Sequence, residues 1–444
     1  MIKPFLRYFF GALFIFVLSK YEVFAGDTLK IMHYNTLNYG ISLPKNCPGL
    51  LTFKKHNYLR DILKYERPDV LGMVKLDSSM QFVGDTIIDK VLDSVCYHCY
   101  SHATLTNHTG YNKLDALFYR NDKLAFISTA TTYAGDDSIS DINLHKFYYK
   151  APDLATTHDT QFINFIVIHL ISGKTNGIIR ANDILGVVKY LYKNDTILNN
   201  YIAMGDFNSQ SSTEGDYQYL TAPSDTNFKF YDPIYQNKDW KKNELAYAKY
   251  LSQSTRILTL NDCGSPGGLK DVYDHILVTR SIMLGLDSIK YIPNSYTVVG
   301  QDGKHINKSL IDTPLNTSVP PYILNDLYLM SNHLPVTVQL VIGKRSILNG
   351  IESATYSSKN IKTHLSLSNQ QLLIKLQNND LLLDANAVVE LWTVSGTKIF
   401  SVKTRISEIN NYKLNSSTLK EGTYLLRIIS ERGISKTIKV VTAP

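Results

Sequence analysis

The stretch Gly205-Asp206-Phe207-Asn208 follows directly on the apolar run Tyr201-Ile202-Ala203-Met204. Such a run predicts a buried strand, and the small, acidic, amide-bearing turn at its end predicts that Asp206 and Asn208 lie side by side at the rim of a sheet. A carboxylate in that place can take a proton from water, and an amide can hold a phosphate oxygen. The tetrapeptide is also typical of an ordinary turn, so other segments have to decide between the two interpretations.

The composition indicates a globular protein. With 444 residues, of which 44% are hydrophobic and 19% charged, the chain can bury the core of two domains, and a disordered or fibrous protein is excluded. The net charge of +7 suits a polyanionic partner such as nucleic acid, although the excess is spread along the chain.

The amino-terminal residues are typical of a signal peptide spanning residues 1–25. Lys3 and Arg7 precede an apolar stretch from Tyr8 to Leu18, and Val23-Phe24-Ala25 fits a cleavage site. The apolar stretch is shorter than the roughly 20 residues that a bilayer requires, so we expect no transmembrane segment.

The four cysteines, Cys47, Cys96, Cys99 and Cys263, would then fold in an oxidising compartment. We expect two structural disulfides, or one disulfide and two free thiols, and the sequence does not give the connectivity. Cys96-x-x-Cys99 has no second pair or suitably spaced histidine, so a zinc site is not predicted.

Strands and helices alternate along residues 26–342, with some strands in neighbouring pairs, which favours α/β layers. Helices are predicted from His56 to Tyr65 and from Asn176 to Tyr192. Strands are predicted at Leu29–Tyr34, ending in Asn35, and at Val70–Val74, Leu117–Tyr119, Phe162–Ile168, Tyr201–Met204, Ile276–Val278 and Val336–Val341. Residues 217–270 and 291–325 are predicted to be long loops that determine specificity.

Other predicted strand ends carry similar polar residues. They are Tyr34-Asn35, Pro68-Asp69-Val70-Leu71-Gly72-Met73-Val74-Lys75, Ile168-His169-Leu170, Tyr273-Asp274-His275 and Ser331-Asn332-His333-Leu334-Pro335-Val336. Together with Gly205–Asn208, in this order, these motifs resemble the endonuclease/exonuclease/phosphatase superfamily. The resemblance implies an α/β fold of the DNase I-like type, a four-layered α/β sandwich with the site at one rim.

In enzymes of that superfamily, a magnesium or manganese ion polarises the phosphate while an activated water attacks. The resemblance implies that Asp206 orients or deprotonates this water and that His333, oriented by Asp274, contacts the phosphate. It implies a catalytic set of Asp206, His333, Asp274, His169 and Asn208, and a phosphate-binding set of Asn35, Asn208 and His333. We add Lys75 to the phosphate-binding set because of its charge, not because of the resemblance.

Two positions depart from the family pattern. Lys75 stands where the family has its main metal-binding glutamate, and Asn332 stands where it has a second carboxylate. An ammonium has no lone pair and repels a divalent ion, so Asn35 and Asn332 would be the metal ligands only if an ion is retained. A register shift of two residues would instead offer Asp77, on the same face of the strand. We expect the Lys75 ammonium to take the electrostatic place of the metal.

The carboxyl-terminal segment has an alternating pattern typical of a small all-β sandwich. A linker is expected at residues 343–359 and the sandwich at residues 360–444, with strands at Leu372–Leu376, Val388–Trp392, Lys398–Val402, Tyr424–Ile428 and Thr437–Val441. Residues 389–398, 419–427 and 436–440 resemble the C-terminal sorting domain of the type IX secretion system of Bacteroidetes. A generic immunoglobulin-like adhesion module is the alternative.

Three functions remain open from the sequence. The first is a secreted or cell-surface hydrolase, exported through the periplasm by the type IX machinery, that cleaves phosphodiester or phosphomonoester bonds with an altered metal site. The second is a catalytically weakened or inactive phosphate-binding pseudoenzyme, and the third a surface adhesin on the same scaffold. Nucleic acid, phospholipid headgroups and sugar phosphates all fit as substrates, because specificity in this architecture lies in loops.

Overall fold

The structure is a computed structural model. It describes residues 27–40, 47, 52–78, 82–110, 113–132, 139, 141–235, 239–242 and 245–343, and in the carboxyl-terminal segment residues 362–368, 371–377, 386–393, 397–405, 412–415, 422–430 and 435–442. The predicted signal peptide lies outside the described residues, and so does the predicted linker apart from residue 343.

Thirteen strands are described before residue 344. They are β1 (Asp27–Tyr39), β2 (Val70–Asp77), β3 (Tyr100–His102), β4 (Lys113–Arg120), β5 (Leu124–Thr132), β6 (Ile142–Tyr149), β7 (Gln161–His169), β8 (Tyr201–Asp206), β9 (Phe230–Tyr231), β10 (Asp274–Thr279), β11 (Ile289–Tyr291), β12 (Thr297–Val298) and β13 (Val336–Ile342).

Seven α-helices lie between these strands. They are α1 (Thr52–Glu66), α2 (Val83–Lys90), α3 (Leu154–Thr157), α4 (Gly177–Asn194), α5 (Gly215–Thr221), α6 (Arg280–Leu284) and α7 (Pro321–Met330). Short 3₁₀ turns occur at Leu92–Ser94, Thr226–Phe228, Trp240–Lys242 and Ala248–Tyr250. Among the described helices, none has both the length and the apolar character needed to cross a bilayer.

The strands form two sheets that pack face to face. The first sheet has the order β11-β13-β1-β2-β4-β3, with β12 also paired to β13, and the second has the order β5-β6-β7-β8-β10-β9. Strands β1, β2 and β4 of the first sheet contact β7, β8 and β10 of the second. Helices α1 and α7 pack together beside the first sheet, and α4 and α5 pack together beside the second. This arrangement confirms the predicted four-layered α/β sandwich.

Each sheet has one parallel pair near its centre, and these two pairs determine where the polar strand ends meet. Strand β1 runs parallel to β2, and β7 runs parallel to β8, whereas the other pairs are antiparallel. The central strands are almost continuously buried, as expected of strands covered on both faces. Since parallel strands end at the same edge, the motifs at their carboxyl ends converge there.

Strand β1 does not end at Asn35 as predicted but continues to Tyr39 through an irregularity. Leu37 and Asn38 adopt left-handed backbone conformations with φ of 48° and 55°. The buried ammonium of Lys55 donates hydrogen bonds to the carbonyl oxygens of Thr36 (3.0 Å) and Leu37 (2.6 Å). A side chain from α1 therefore satisfies backbone acceptors that the strand ladder leaves free, which sequence periodicity does not reveal.

Strands β5 and β6 were not predicted, because both carry polar residues at positions that face the protein. Asn143 and His145 of β6 are almost completely buried, and their side chains bond to Thr131 and Thr129 of β5. When polar side chains on neighbouring strands hydrogen-bond to each other, the apolar pattern that predicts a strand is interrupted in both.

Seven strands are described in the carboxyl-terminal segment, in a three-stranded and a four-stranded sheet. They are β14 (Lys362–Ser368), β15 (Gln371–Gln377), β16 (Asn386–Thr393), β17 (Lys398–Arg405), β18 (Tyr412–Asn415), β19 (Gly422–Ser430) and β20 (Ser435–Thr442). The five predicted strands are present, and the structure adds β14 and β18. The all-β character of this segment is confirmed.

Both pairs of cysteines form disulfides, Cys47–Cys263 and Cys96–Cys99. The first joins residues 216 positions apart in sequence, and the second joins residues three positions apart. The long disulfide ties the segment after β1 to the segment before β10.

The backbone of Gly205 lies so close to the neighbouring strand β7 that no other residue type fits there. A Cβ atom there would overlap the carbonyl oxygen of Ile168, its partner on β7. We expect Gly205→Ala to lower the free energy of unfolding by about 4 kcal/mol or to prevent folding, because a backbone atom of a central strand has to move. Thermal or urea denaturation measures this.

Gly72→Ala is the matched control. The nearest atoms to its new Cβ would be Cε and Sδ of Met204, at 2.8 and 3.3 Å, and the end of this flexible side chain can rotate away. We expect a loss of about 1 kcal/mol. Equal stability losses in the two variants would contradict this account of Gly205.

The two disulfides should differ in their effect on stability. Replacing Cys47 and Cys263 by serine frees a long loop in the unfolded chain, and the chain-entropy relation gives a loss of about 5 kcal/mol. Replacing Cys96 and Cys99 frees a short loop and should cost about 2 kcal/mol. Melting temperatures of the two double variants test this order, and a reversed order would contradict it.

Candidate functional site

Three polar residues lie side by side across the second sheet. Asp206 at the end of β8 is paired in register with His169 at the end of β7 and with Asp274 at the start of β10. Residues paired on neighbouring strands point to the same face of a sheet. The register therefore places all three side chains at one edge, as the sequence predicts.

Asn35 links the first sheet to this row. Its Nδ2 donates to Oδ2 of Asp206 at 2.7 Å, and its carbonyl oxygen accepts from the Ser331 hydroxyl at 2.7 Å. Asn35 Oδ1 accepts from the backbone N–H of Leu37 at 3.0 Å. The amide therefore has a fixed orientation, with its nitrogen toward Asp206.

His333 and Asp274 form a buried imidazole–carboxylate pair. Nδ1 of His333 lies 2.8 Å from Oδ2 of Asp274. The same carboxylate accepts from the Ser252 hydroxyl at 2.6 Å, and its Oδ1 lies 3.1 Å from Nε2 of His33. Burial alone would raise the pKa of Asp274, but His333 and His33 outweigh it and hold this pKa well below its ordinary value.

The surroundings of His333 favour the cationic form of its imidazole. Burial alone would lower its pKa, but the carboxylates of Asp274 and Asp206 outweigh burial and raise the pKa. The charged form persists to higher pH than in an ordinary histidine. Nε2 of this ring lies 3.7 Å from Oδ2 of Asp206 and is directed at the row of strand ends.

Asp206 is a buried carboxylate with a raised pKa. Burial is the main cause, and the charge of His333 and the hydrogen bond from Asn35 oppose it in part. Its Oδ1 accepts from the backbone N–H of Asn208 at 3.0 Å. A carboxylate whose pKa is raised toward neutrality is a better proton acceptor than an ordinary aspartate.

The remaining predicted residues of the row are Asn208 and His169. Nδ2 of Asn208 donates to the carbonyl oxygen of Leu170 at 2.9 Å, which fixes its amide. Burial, followed by the charge of Lys75, holds the pKa of His169 well below its ordinary value, so this ring is neutral. Its Nδ1 lies 3.7 Å from Asp115 of β4.

Lys75, rather than Asp77, faces Asp206. Strand β2 is irregular between Met73 and Leu76, and Lys75 adopts a left-handed conformation with φ of 65°. Burial lowers the pKa of its ammonium, and the carboxylates of Asp206 and Asp262 oppose this. Asp77 is paired with Lys113 on β4 and interacts with its charge. The irregularity lies between Met73 and Leu76, so Lys75 and Asp77 do not follow simple alternation along β2, and Asp77 as a metal ligand stays a prediction.

Asn332 is almost completely buried beside His333. Its backbone oxygen accepts from Thr255, but among the described residues its side-chain Oδ1 has no hydrogen-bond partner. A carboxylate at this position would be uncompensated unless a cation lay next to it.

Asp206, Asp274 and His333 together could offer ligand atoms to a metal, all within 4.8 Å of one another. As arranged, this group does not fit a magnesium or manganese ion. Asp274 already bonds to three side chains, its pairing with His333 favours the cationic form of that ring, and the Lys75 ammonium carries a charge that repels a cation. We therefore derive no chemical step through a metal.

Sequence reasoning missed three residues of this site, His33, Ser252 and Gln253. His33 precedes Asn35 by two residues on one strand, and this alternation was a signal that could have found it. Ser252 and Gln253 come from the predicted loop 217–270, where no motif marks them. The carboxamide nitrogen of Gln253 lies 2.5 Å from Nε2 of His333.

Residues 368–443 match the family model of the secretion system C-terminal sorting domain. No curated protein sequence matches the chain.

Several solved structures resemble the chain. An endonuclease/exonuclease/phosphatase family protein from Bacteroides thetaiotaomicron has a TM-score of 0.43 and 14% identity, covering 72% of this chain and 97% of its own. A mannosyl-6-phosphatase from the same organism has a TM-score of 0.42 and 15% identity, covering 71% and 100%. D. rerio TDP2 in complex with a single-strand DNA product has a TM-score of 0.43 and 12% identity, covering 70% and 98%.

The chain thus combines a four-layered α/β sandwich with a carboxyl-terminal segment whose residues 368–443 match the secretion system C-terminal sorting domain.

Proposed function

We propose that this protein is an exported phosphoester hydrolase in which the ammonium of Lys75 takes the place of the divalent ion. The observation that carries the proposal is the position of Asp206. Its carboxylate, with a raised pKa, is held at 2.7 Å by Asn35 and lies 3.7 Å from the imidazolium of His333. A proton acceptor is therefore next to a fixed cation that can attract a phosphate.

In the proposed reaction, Asp206 accepts a proton from a water molecule while the water oxygen attacks phosphorus. The ester P–O bond breaks, and the leaving oxygen takes a proton from solvent. His333, held by Asp274, and Lys75 stabilise negative charge on the phosphate oxygens, and the amides of Asn35 and Asn208 position the phosphate. His169, a neutral ring, borders the same edge of the sheet.

The ammonium of Lys75 cannot do all that a divalent ion does. It carries one positive charge instead of two and has no coordination sites that organise several oxygens at once. We therefore propose slow turnover that needs no metal. Either a phosphodiester or a phosphomonoester fits this chemistry, from nucleic acid, a phospholipid headgroup or a sugar phosphate.

A phosphate-binding pseudoenzyme is the second candidate, and the burial of the site favours it. Asp206 is 1% exposed and His333 is 2% exposed, so little of either side chain faces solvent. A protein that retains the pocket for recognition alone would keep the cationic groups and lose turnover.

The sorting domain indicates export to the cell surface or the medium. We propose that the type IX secretion machinery is the partner that recognises it, and that residues 1–25 direct the chain to the periplasm first. The proposed domain limits are 26–342 for the sandwich, 343–359 for the linker and 360–444 for the sorting domain, close to the matched residues 368–443.

Hydrolysis should not depend on a divalent ion and should require Asp206. We expect wild-type protein to cleave bis(p-nitrophenyl) phosphate or p-nitrophenyl phosphate equally fast with magnesium and with a chelator. Asp206→Asn removes the proton acceptor and should slow the reaction by about 10²- to 10⁴-fold. Release of p-nitrophenol measures the rate.

Asp225→Asn is the control, because Asp225 caps a 3₁₀ turn on the surface. Activity that the chelator abolishes would show that a metal is bound despite Lys75. No activity under either condition, together with phosphate binding that Asp206→Asn leaves intact, would support the pseudoenzyme.

Two substitutions should introduce metal dependence. Lys75→Glu with Asn332→Asp places carboxylates at the two positions where the family pattern has them. We expect the double variant to need magnesium for hydrolysis and to melt at a higher temperature when magnesium is added, because a bound ion stabilises the folded state.

The matched control is Lys304→Glu with Asn261→Asp, which makes the same charge change at two exposed positions. If magnesium affected neither the rate nor the melting temperature of the site variant, the assignment of Lys75 and Asn332 to the metal positions would be wrong.

A further inference from the structure

The side chain of Gln253 covers the atom of His333 that a phosphate would have to reach. Nδ1 of the imidazole is bonded to Asp274, so Nε2 is the one ring nitrogen left for a ligand. The carboxamide of Gln253 lies 2.5 Å from that nitrogen, closer than Asn35 at 3.4 Å or Asp206 at 3.7 Å. Because the two ends of a carboxamide exchange by a half-turn, its oxygen can accept a hydrogen bond from the imidazolium.

The backbone around Gln253 fixes this contact. The carbonyl oxygen of Gln253 accepts from the N–H groups of Lys270 (2.8 Å) and Asp271 (3.0 Å). On its other side the segment runs antiparallel to the strand end of His333: Leu334 N–H donates to Ser252, at 2.8 Å. The main chain is bonded to neighbours on both sides, so only rotation of the Gln253 side chain can uncover His333.

Electrostatic interactions favour the arrangement in which Gln253 covers Nε2 of His333, as long as no anion is bound. With its oxygen turned toward Nε2, the neutral carboxamide can accept a hydrogen bond from the protonated ring, whose carboxylate neighbour on that side, Asp206, is farther away at 3.7 Å. A phosphate oxygen carries negative charge and makes a stronger, charge-assisted bond to the same N–H. A phosphoester can therefore displace the carboxamide, whereas an uncharged molecule has no such advantage.

We propose that Gln253 is a gating residue, a side chain that occupies the phosphate position on His333 and is displaced by an anionic phosphoester. This inference rests on the proposed function, since it assumes that His333 binds phosphate. Gln253 is a positioning and selectivity residue rather than a catalytic one, because it contacts His333 only before the substrate binds. The gate selects ligands that carry negative charge at the atom that meets Nε2.

Removing the carboxamide should expose His333 and tighten phosphate binding. In Gln253→Ala we expect carbethoxylation of His333 by diethylpyrocarbonate, located by peptide mass mapping at one fixed pH, to be about tenfold faster than in the wild type. Inorganic phosphate should bind about tenfold more tightly by titration calorimetry, because no hydrogen bond has to be broken first. For hydrolysis, KM should fall while kcat stays nearly constant.

Gln253→Glu serves as the second variant, since it keeps the size of the side chain. Its carboxylate would pair with the imidazolium, so we expect slower carbethoxylation and weaker phosphate binding than in the wild type. Gln339→Ala is the matched control. Gln339 is an exposed residue of β13, and all three measurements should match the wild type.

Different results would overturn the gate and the proposed function. Weaker phosphate binding in Gln253→Ala would make Gln253 a phosphate ligand and overturn the gate. An unchanged carbethoxylation rate in both Gln253 variants would overturn it as well, because the side chain would not cover His333. A faster rate with no phosphate binding in the wild type or Gln253→Ala would instead overturn the proposed function.

Discussion

The carboxylate of Asp274 is the group on which the site depends. A carboxylate removed from water is costly unless hydrogen bonds and opposite charge compensate it. Here the compensation comes from Ser252 on the segment before β10, His33 on β1 and His333 before β13. Hydrogen bonds to this one buried carboxylate therefore join both sheets and a long connecting segment. The hydrogen bond from His333 to the carboxylate also fixes the orientation of the imidazole beside Asp206. Loss of one of these donors would affect the whole edge.

A second constraint is the charge balance beside Asp206. Two metal-binding carboxylates and a divalent ion have no net charge, whereas Lys75 with Asn332 carries a single positive charge. The two departures are consistent with each other, because an added ammonium and a missing carboxylate both remove the need for an ion. Among the described residues, Oδ1 of Asn332 has no hydrogen-bond partner, and Lys75 is attracted to Asp206 and Asp262; both observations support the proposed exchange.

The sequence predicted the sandwich and the row formed by His169, Asp206 and Asp274, because parallel strands with buried faces have a strong apolar pattern and polar residues stand out at their ends. It did not predict the bulge of β1, which depends on a lysine from α1, or strands β5 and β6, whose polar pairs are satisfied across the ladder. Gln253 and His333 are 80 positions apart in sequence, and Gln253 comes from a segment without periodicity. A contact of that kind depends on the tertiary fold of the whole chain, and no local helix or strand propensity predicts it.

The chemistry at positions 75 and 332 has a genetic consequence. Codons for lysine and glutamate differ at the first base, and the same holds for asparagine and aspartate. If Lys75 takes the place of the ion as proposed, a lineage with this scaffold can pass between an ammonium-filled and an ion-dependent centre through two point mutations of the same type, without a change in chain length.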